Sequence, residues 1–211
     1  MTDHYFTADP SVPFARESFT CEVWGQRLDL VSGAGVYSRG HLDIGTAVLF
    51  RETEPPEPGH VLDLGTGYGV IGLAAAATWR ARGVPAGAAS GVTGVEVNQR
   101  AVLLANQNGA ALGLQDRFVA CDPSYVPDRL TFDEIWSNPP IRIGKRALHA
   151  LLLNWFTRLR PEGRAVMVVG KNLGGDSLQA WLTDQGYPTT RLASAKGFRV
   201  LEARGRAPSG D

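Results

Sequence analysis

Two stretches of this chain carry residue types that can do chemistry. The first is Asp63-Leu64-Gly65-Thr66-Gly67-Tyr68-Gly69, where a carboxylate precedes three glycines at alternate positions. Glycine accepts left-handed backbone and leaves no Cβ in the way. A glycine turn that opens a helix therefore gathers backbone N–H groups at one point and lets another molecule come close. This is a ligand-binding turn, and it reads in two registers. Gly67, Gly69 and Gly72 spell the GxGxxG dinucleotide fingerprint, but that pattern alone is weak and position must decide. The place directly after the strand's apolar run, where a dinucleotide fold has its first glycine, belongs here to Gly65, with Asp63 two residues earlier. The second stretch is Ser137-Asn138-Pro139-Pro140-Ile141. Proline fixes φ and restricts its predecessor, so this is either a stiff turn that ends a strand or an amide held in one place for use.

The elements that must position these residues alternate. Val61–Leu64 reads as a buried strand and Val70–Trp79 as a helix. A loop of small residues, 82–91, looks like an insertion ahead of a second strand, Val92–Val97. Asn98 is placed to cap a helix that runs to about Leu112 and stops at Gly113. Arg117–Cys121 and Phe132–Trp136 are further strands, and Lys145–Leu159 is a helix with Leu148, Leu151, Leu152, Trp155 and Leu159 on one side. Arg164–Val169 is a fifth strand, and Asp176–Gln185 a helix capped by Asp176 or Ser177. Thr189–Ser194 and Phe198–Arg204 pair as an antiparallel hairpin. Ahead of this series lie a hairpin around Gly25-Gln26, a glycine-rich loop, and a short helix, 43–51, with Ile44 and Val48 on its apolar face. Repeated βα units predict an α/β fold: a Rossmann-like, mostly parallel sheet with helices on both faces and ligands at the strands' C-terminal ends. The expected division is a lead-in with a hairpin over 1–34, the main domain over 35–204 and a loose tail over 205–211.

Asp63–Gly69 resembles motif I of the class I S-adenosylmethionine (SAM)-dependent methyltransferases. SAM has no pyrophosphate; it brings an ammonium, which Asp63 can serve directly or through water, and an adenosine, which packs on the glycines. Glu96, with Val97 after the second strand, suits the ribose hydroxyls, as it also would in NAD. The resemblance implies that Asp122, after the third strand, neighbours the adenine amino group. Asn138-Pro139-Pro140 resembles the Asn-Pro-Pro-aromatic signature of methyltransferases acting on planar nitrogens, in which the amide and the first proline's carbonyl accept from one NH₂ group. Such an amine is a poor nucleophile because its lone pair is delocalised, so catalysis is chiefly in-line positioning. The stretch from Gly35 through Tyr37, Asp43, Gly45 and Thr46, with Gly197-Phe198-Arg199-Val200, extends the resemblance to the small-subunit rRNA guanine-N2 methyltransferases. It implies cofactor contacts from Tyr37, Asp43, Gly45, Asp63, Gly65, Thr66, Gly67, Gly69, Glu96, Val97, Asp122 and Asn138. It assigns catalysis to Asn138, Pro139, Pro140 and Ile141. Two departures stand out: Ile141 replaces an aromatic residue, and about 34 residues stand where known members carry a duplicated domain.

The formal net charge is zero, yet residues 1–135 carry 9 basic against 16 acidic residues and residues 136–211 carry 12 against 5. Arg142, Lys145 and Arg146, with Lys171, Lys196 and Arg199, are the candidates for RNA phosphates. Cys21 and Cys121 lie far apart with no CxxC or histidine companion, which argues against a zinc site or a disulfide framework. No apolar run reaches membrane-spanning length and no signal-like segment opens the chain, so a cytoplasmic enzyme is expected. Two alternatives stay open: methylation of a protein glutamine amide or a small-molecule planar nitrogen, and an NAD(P)-binding oxidoreductase built on Gly67–Gly72.

Overall fold

The protein is described from a computed structural model, covering residues 15–36, 38, 40–87, 89–140 and 143–206. The expectations on Tyr37, Ile141 and Arg142, and on the segments 1–14 and 207–211, lie outside these residues. In chain order the elements are β1 (Arg16–Val23), β2 (Gln26–Gly33), α1 (Ile44–Arg51), β3 (His60–Leu64), α2 (Val70–Ala81), β4 (Gly91–Val95), α3 (Gln99–Ala111) and β5 (Phe118–Cys121). They continue with β6 (Phe132–Ser137), α4 (Lys145–Phe156), β7 (Leu159–Gly170), α5 (Gly175–Asp184), β8 (Thr189–Ala195) and β9 (Phe198–Arg204).

The main sheet has seven strands in the order β5-β4-β3-β6-β7-β9-β8. The first five are parallel, and β9 runs antiparallel to both of its neighbours. This is the class I methyltransferase topology. From β3 the chain steps outward to β4 and β5, then returns to β6 on the other side. The crevice between the C-terminal ends of β3 and β6 is therefore the switch point where ligands bind in such sheets. Register brings the two chemical stretches together there. Asp63 lies opposite Trp136 and Leu64 opposite Ser137, and Ser137 Oγ donates to the Leu64 carbonyl at 2.7 Å.

Side-chain alternation along β7 assigns the layers. Val166 and Val168 point to a core shared with the β1–β2 hairpin, α1, α2 and α3, whereas Ala165, Met167 and Val169 point to a core shared with α4 and α5. Gly72 lets α2 sit low on the sheet: a Cβ there would come within 2.6 Å of Phe118 Cε2 and 2.9 Å of Val92 Cγ1. That packing need explains the last glycine of the apparent GxGxxG. Gly72→Ala is expected to lower stability by about 1–3 kcal/mol through overpacking, read as a lower urea midpoint at an unchanged slope.

The β1–β2 turn has Trp24 and Gly25 both at positive φ (47° and 74°), the type I′ geometry that matches strand twist. Trp24 holds this strained position with its ring. Its indole N–H reaches the carbonyls of Phe50 (3.1 Å) and Thr53 (2.8 Å), and its faces meet Phe50 and Trp136 edge-on. Val23, Leu28 and Leu30 of the hairpin join the same core as α2.

Several expectations are corrected. Ile44 is 58% exposed, while Gly45, Thr46, Val48, Leu49 and Phe50 are buried, because Asp43 caps α1 and sets a different face toward the sheet. Leu159 belongs to β7, not α4. The helix stops at Phe156 ahead of Pro161, and Leu159 pairs with Phe132. α5 is capped by Gly174 at φ 97° instead of by Asp176 or Ser177. β4 ends at Val95, which leaves Glu96 and Val97 beyond it in the loop.

Candidate active site

A cavity of about 480 Å³ opens at the C-terminal ends of β3, β4 and β6, within the roughly 300–1,000 Å³ span of small-molecule sites. Gly65, Thr66, Gly67, Glu96, Val97 and Pro123 line it, as do Asp43, Thr46, Asn138, Pro139, Pro140 and Phe198.

The glycine turn is bonded into shape. The N–H groups of Gly65 and Thr66 both donate to the Val95 carbonyl at 3.0 Å. Gly65 and Gly67 have φ 74° and 57°; a Cβ on Gly67 would meet no protein atom within 4 Å, and one on Gly65 only Pro140 Cδ at 3.9 Å. Side chains there would stand in the cavity, so the glycines keep a cradle open for a ligand. Glu96 holds this cradle from the side. Its Oε2 accepts from Gly67 N–H (3.2 Å) and its Oε1 from Asn98 N–H (3.0 Å). Burial raises its pKa. Each carboxylate oxygen keeps acceptor capacity for a further donor such as a hydroxyl.

Asp63 lies outside the cavity lining, fully buried beneath the turn. Its Oδ2 accepts from Thr66 Oγ1 (2.6 Å) and from Gly72 N–H (2.9 Å). Gly72 is the third residue of α2, whose first flanking residue, Gly69, has no side chain to cap it. Asp63 thus supplies from β3 the cap that the glycine turn cannot. Asp63 reaches the cavity lining through its bond to Thr66. Asp63 Oδ1 is buried without a partner, and burial pushes the carboxyl up from 3.8 to about 6. The folded state then holds a proton between pH 4 and 6 that the unfolded chain has lost, so this group's contribution to stability falls as pH rises through that window. Urea denaturation at pH 4.5 and 7 is expected to show Asp63→Asn gaining about 2 kcal/mol on wild type over that range.

Asp122 is also outside the lining. It caps the turn Pro123–Tyr125, accepting from Ser124 N–H (2.9 Å) and Ser124 Oγ (2.6 Å), and leaves Pro123 to face the cavity. Those bonds hold its pKa below the usual range. Gly69 packs toward Leu73 and Ala105, and Gly45 against Phe198, where a Cβ would lie 2.9 Å from Cε1. Neither lines the cavity.

Asn138 Nδ2 donates to Asp43 Oδ2 (2.8 Å) and to Thr46 Oγ1 (2.9 Å). Among the basic candidates, Lys145 and Arg146 are exposed at the start of α4, just after the lining residue Ile143. Lys171 and Lys196 are exposed on one rim, joined where Lys171 N–H donates to the Gly197 carbonyl at 2.8 Å. Arg199 is committed elsewhere: its side chain is 13% exposed and paired with Asp176 at 3.0 Å. Sequence reasoning overlooked Thr46, Phe198 and Trp155 as lining residues. Trp155 signalled only the apolar face of a helix, and it is core and cavity wall at once. Among the described residues no cluster of acidic, histidine or cysteine side chains is placed to hold a metal, and no helix is long and apolar enough to cross a membrane.

The family model described as "Methyltransferase small domain" matches residues 27–202. The chain belongs to this family. The methyltransferase small domain makes it an SAM-dependent methyltransferase, which removes the nicotinamide reading of Gly67–Gly72. It is 30% identical over 207 residues to the uncharacterized protein YbxB of Bacillus subtilis (strain 168), covering 97% of this chain and 99% of that one. It is 31% identical over 202 residues to the ribosomal RNA small subunit methyltransferase C of Pseudomonas aeruginosa (strain LESB58), covering 93% of this chain. Here the chain spans only 57% of its relative's length. In fold it is similar to the T. thermophilus 16S rRNA N2 G1207 methyltransferase solved with AdoMet and guanosine. The TM-score is 0.76 at 24% identity, over 93% of this chain and 52% of that one.

Proposed function

We propose that this methyltransferase modifies a planar nitrogen in ribosomal RNA, the exocyclic N2 of a guanine. The observation that carries the reading is the state of Asn138. Both hydrogens of its amide nitrogen are engaged by Asp43 and Thr46. Among the described residues none donates to Oδ1, which is not a buried atom and belongs to a cavity-lining residue. Oδ1 is therefore a fixed acceptor, and the Pro139 carbonyl beside it is the second. Two fixed acceptors for one NH₂ group favour a pyramidal nitrogen whose lone pair is turned toward the methyl donor.

SAM, when bound, supplies an electrophilic sulfonium methyl. Glu96 suits the ribose hydroxyls, and Gly65 and Gly67 leave room for the adenosine against the backbone. Asp63 keeps the turn in shape from below. Phe198 and Trp155 give the acceptor end apolar walls. The exposed Lys145, Arg146, Lys171 and Lys196 around that end supply cations for RNA phosphates. The rRNA methyltransferase relatives support the choice of rRNA.

The test is transfer of labelled methyl from SAM to ribosomal subunits and to free rRNA, followed by mass spectrometry of the nucleosides. N2-methylguanosine is expected. Label on a ribosomal protein amide, or on no nucleic acid tried, overturns the reading.

A further inference from the structure

We propose that Asp43 is a positioning residue for methyl transfer, and that with Thr46 it fixes which way the Asn138 amide faces. This rests on the reading of Asn138 as the acceptor of the substrate NH₂. The sequence places Asp43 with the cofactor contacts, and the geometry reassigns it.

An asparagine amide can present oxygen or nitrogen in either of two orientations that differ little in shape, and only its partners select between them. If the amide turned over, Nδ2 would face the cavity and meet an incoming NH₂ group donor to donor. An ionised carboxylate is an acceptor only, so Asp43 Oδ2 at 2.8 Å from the amide nitrogen admits only one orientation. Thr46 closes the arrangement. Its hydroxyl lies 3.4 Å from the same Asp43 oxygen as donor and offers a lone pair to the second Asn138 hydrogen at 2.9 Å. Asp43 is itself held by its place in the fold. As the cap of α1 its Oδ2 also accepts from Thr46 N–H at 2.9 Å, and Gly45 beside it abuts the Phe198 ring. One oxygen atom thus serves as helix cap and as the selector of the amide's orientation.

These two duties separate by mutation. Asp43→Ser keeps a good cap but is too short to reach Asn138. Asp43→Asn keeps an oxygen where Thr46 N–H demands an acceptor, and that oxygen still accepts from Asn138. The first readout needs no substrate: hydrogen exchange of the Asn138 side-chain amide in the ¹⁵N spectrum of the SAM-bound protein, its signals assigned by their loss in Asn138→Asp. The second is kcat for methyl transfer, alongside SAM affinity by calorimetry. In Asp43→Ser, exchange is expected to rise at least about tenfold and kcat to fall about 10–100-fold, the scale of losing a pre-organised contact. SAM affinity stays within about twofold. Asp43→Asn is expected to recover protection and to bring kcat within about fivefold of wild type. Unchanged exchange and kcat in Asp43→Ser would reduce Asp43 to a helix cap. Loss of SAM affinity in both variants with kcat retained at saturation would make it a cofactor contact. Either result overturns the proposal. Thr46→Val, which removes one acceptor at constant volume, gives the same comparison if Asp43→Ser does not fold. Should wild type methylate no RNA, the substrate reading fails while the exchange measurement still judges Asp43.

Discussion

Asn138→Ala is expected to lower kcat for methyl transfer about 10²–10³-fold, the loss that follows removal of one pre-organised transition-state contact. SAM affinity measured by calorimetry should stay within about threefold, because Asn138 bonds to Asp43 and Thr46 and the turn is held by Val95 and Glu96. The substitution also leaves Asp43 and Thr46 without their shared donor, so part of the loss is the freedom these groups regain. Asn138→Asp is no milder. It keeps an oxygen of the same size but sets a second carboxylate where Asp43 Oδ2 now receives an N–H at 2.8 Å, and like charges at that range disfavour each other. Single-turnover rates at saturating SAM for both variants check the point. Retained activity in either would remove Asn138 from the chemistry.

The largest stability effect is expected at the opposite end of the sheet, from Arg164→Met. Arg164 joins Glu134 (2.9 Å) and Glu202 (3.3 Å), both nearly buried, and its guanidinium lies over the Trp136 ring at 5.8 Å. Glu134 is at the same time the acceptor for the Glu57 N–H and the Trp136 indole. Removing the arginine leaves Glu134 buried without a counter-charge, while Glu202 keeps Arg204 at 2.7 Å. Breaking a buried pair from one side costs roughly 3–5 kcal/mol. The Arg164 side chain is 26% exposed, so water can reach part of the gap, and about 3 kcal/mol is expected. For a chain of this length that is a fall in Tm of about 6–12 °C. Adding Glu134→Gln to Arg164→Met should recover part of the loss, since the two are directly coupled. Additive losses would show that the cluster contributes nothing as a unit.

What could be read from the chain depended on how local each signal was. The turn Asp63–Gly69 is contiguous, and the strand before it and the helix after it follow from short apolar periodicities. The seven-stranded sheet with its antiparallel end followed from the same patterns. Trp24 is different: nothing nearby in sequence marks an indole that ties the hairpin to the carbonyls of Phe50 and Thr53. Leu159 satisfies helical spacing equally well as the last residue of α4 or the first of β7, and only its pairing with Phe132 decides. The bond from Asn138 to Asp43 joins segments that flank four intervening strands. Sequence placed both residues near one ligand but could not say that they touch. Asp63 was legible as an acid in the right place, and its actual partner, the N–H of Gly72, became visible only once α2 was in position.

The strand order carries a consequence for synthesis. β9 is last in sequence but lies between β7 and β8, and β8 has no other partner in the sheet. Phe198, which opens β9, forms part of the cavity wall against Gly45. A chain leaving the ribosome N-terminus first exposes its glycine turn and Asn138 while this wall is still missing. β8 meanwhile waits with an unpaired edge. The cavity is therefore closed in one late step, when residues 198–204 slot between two strands already made.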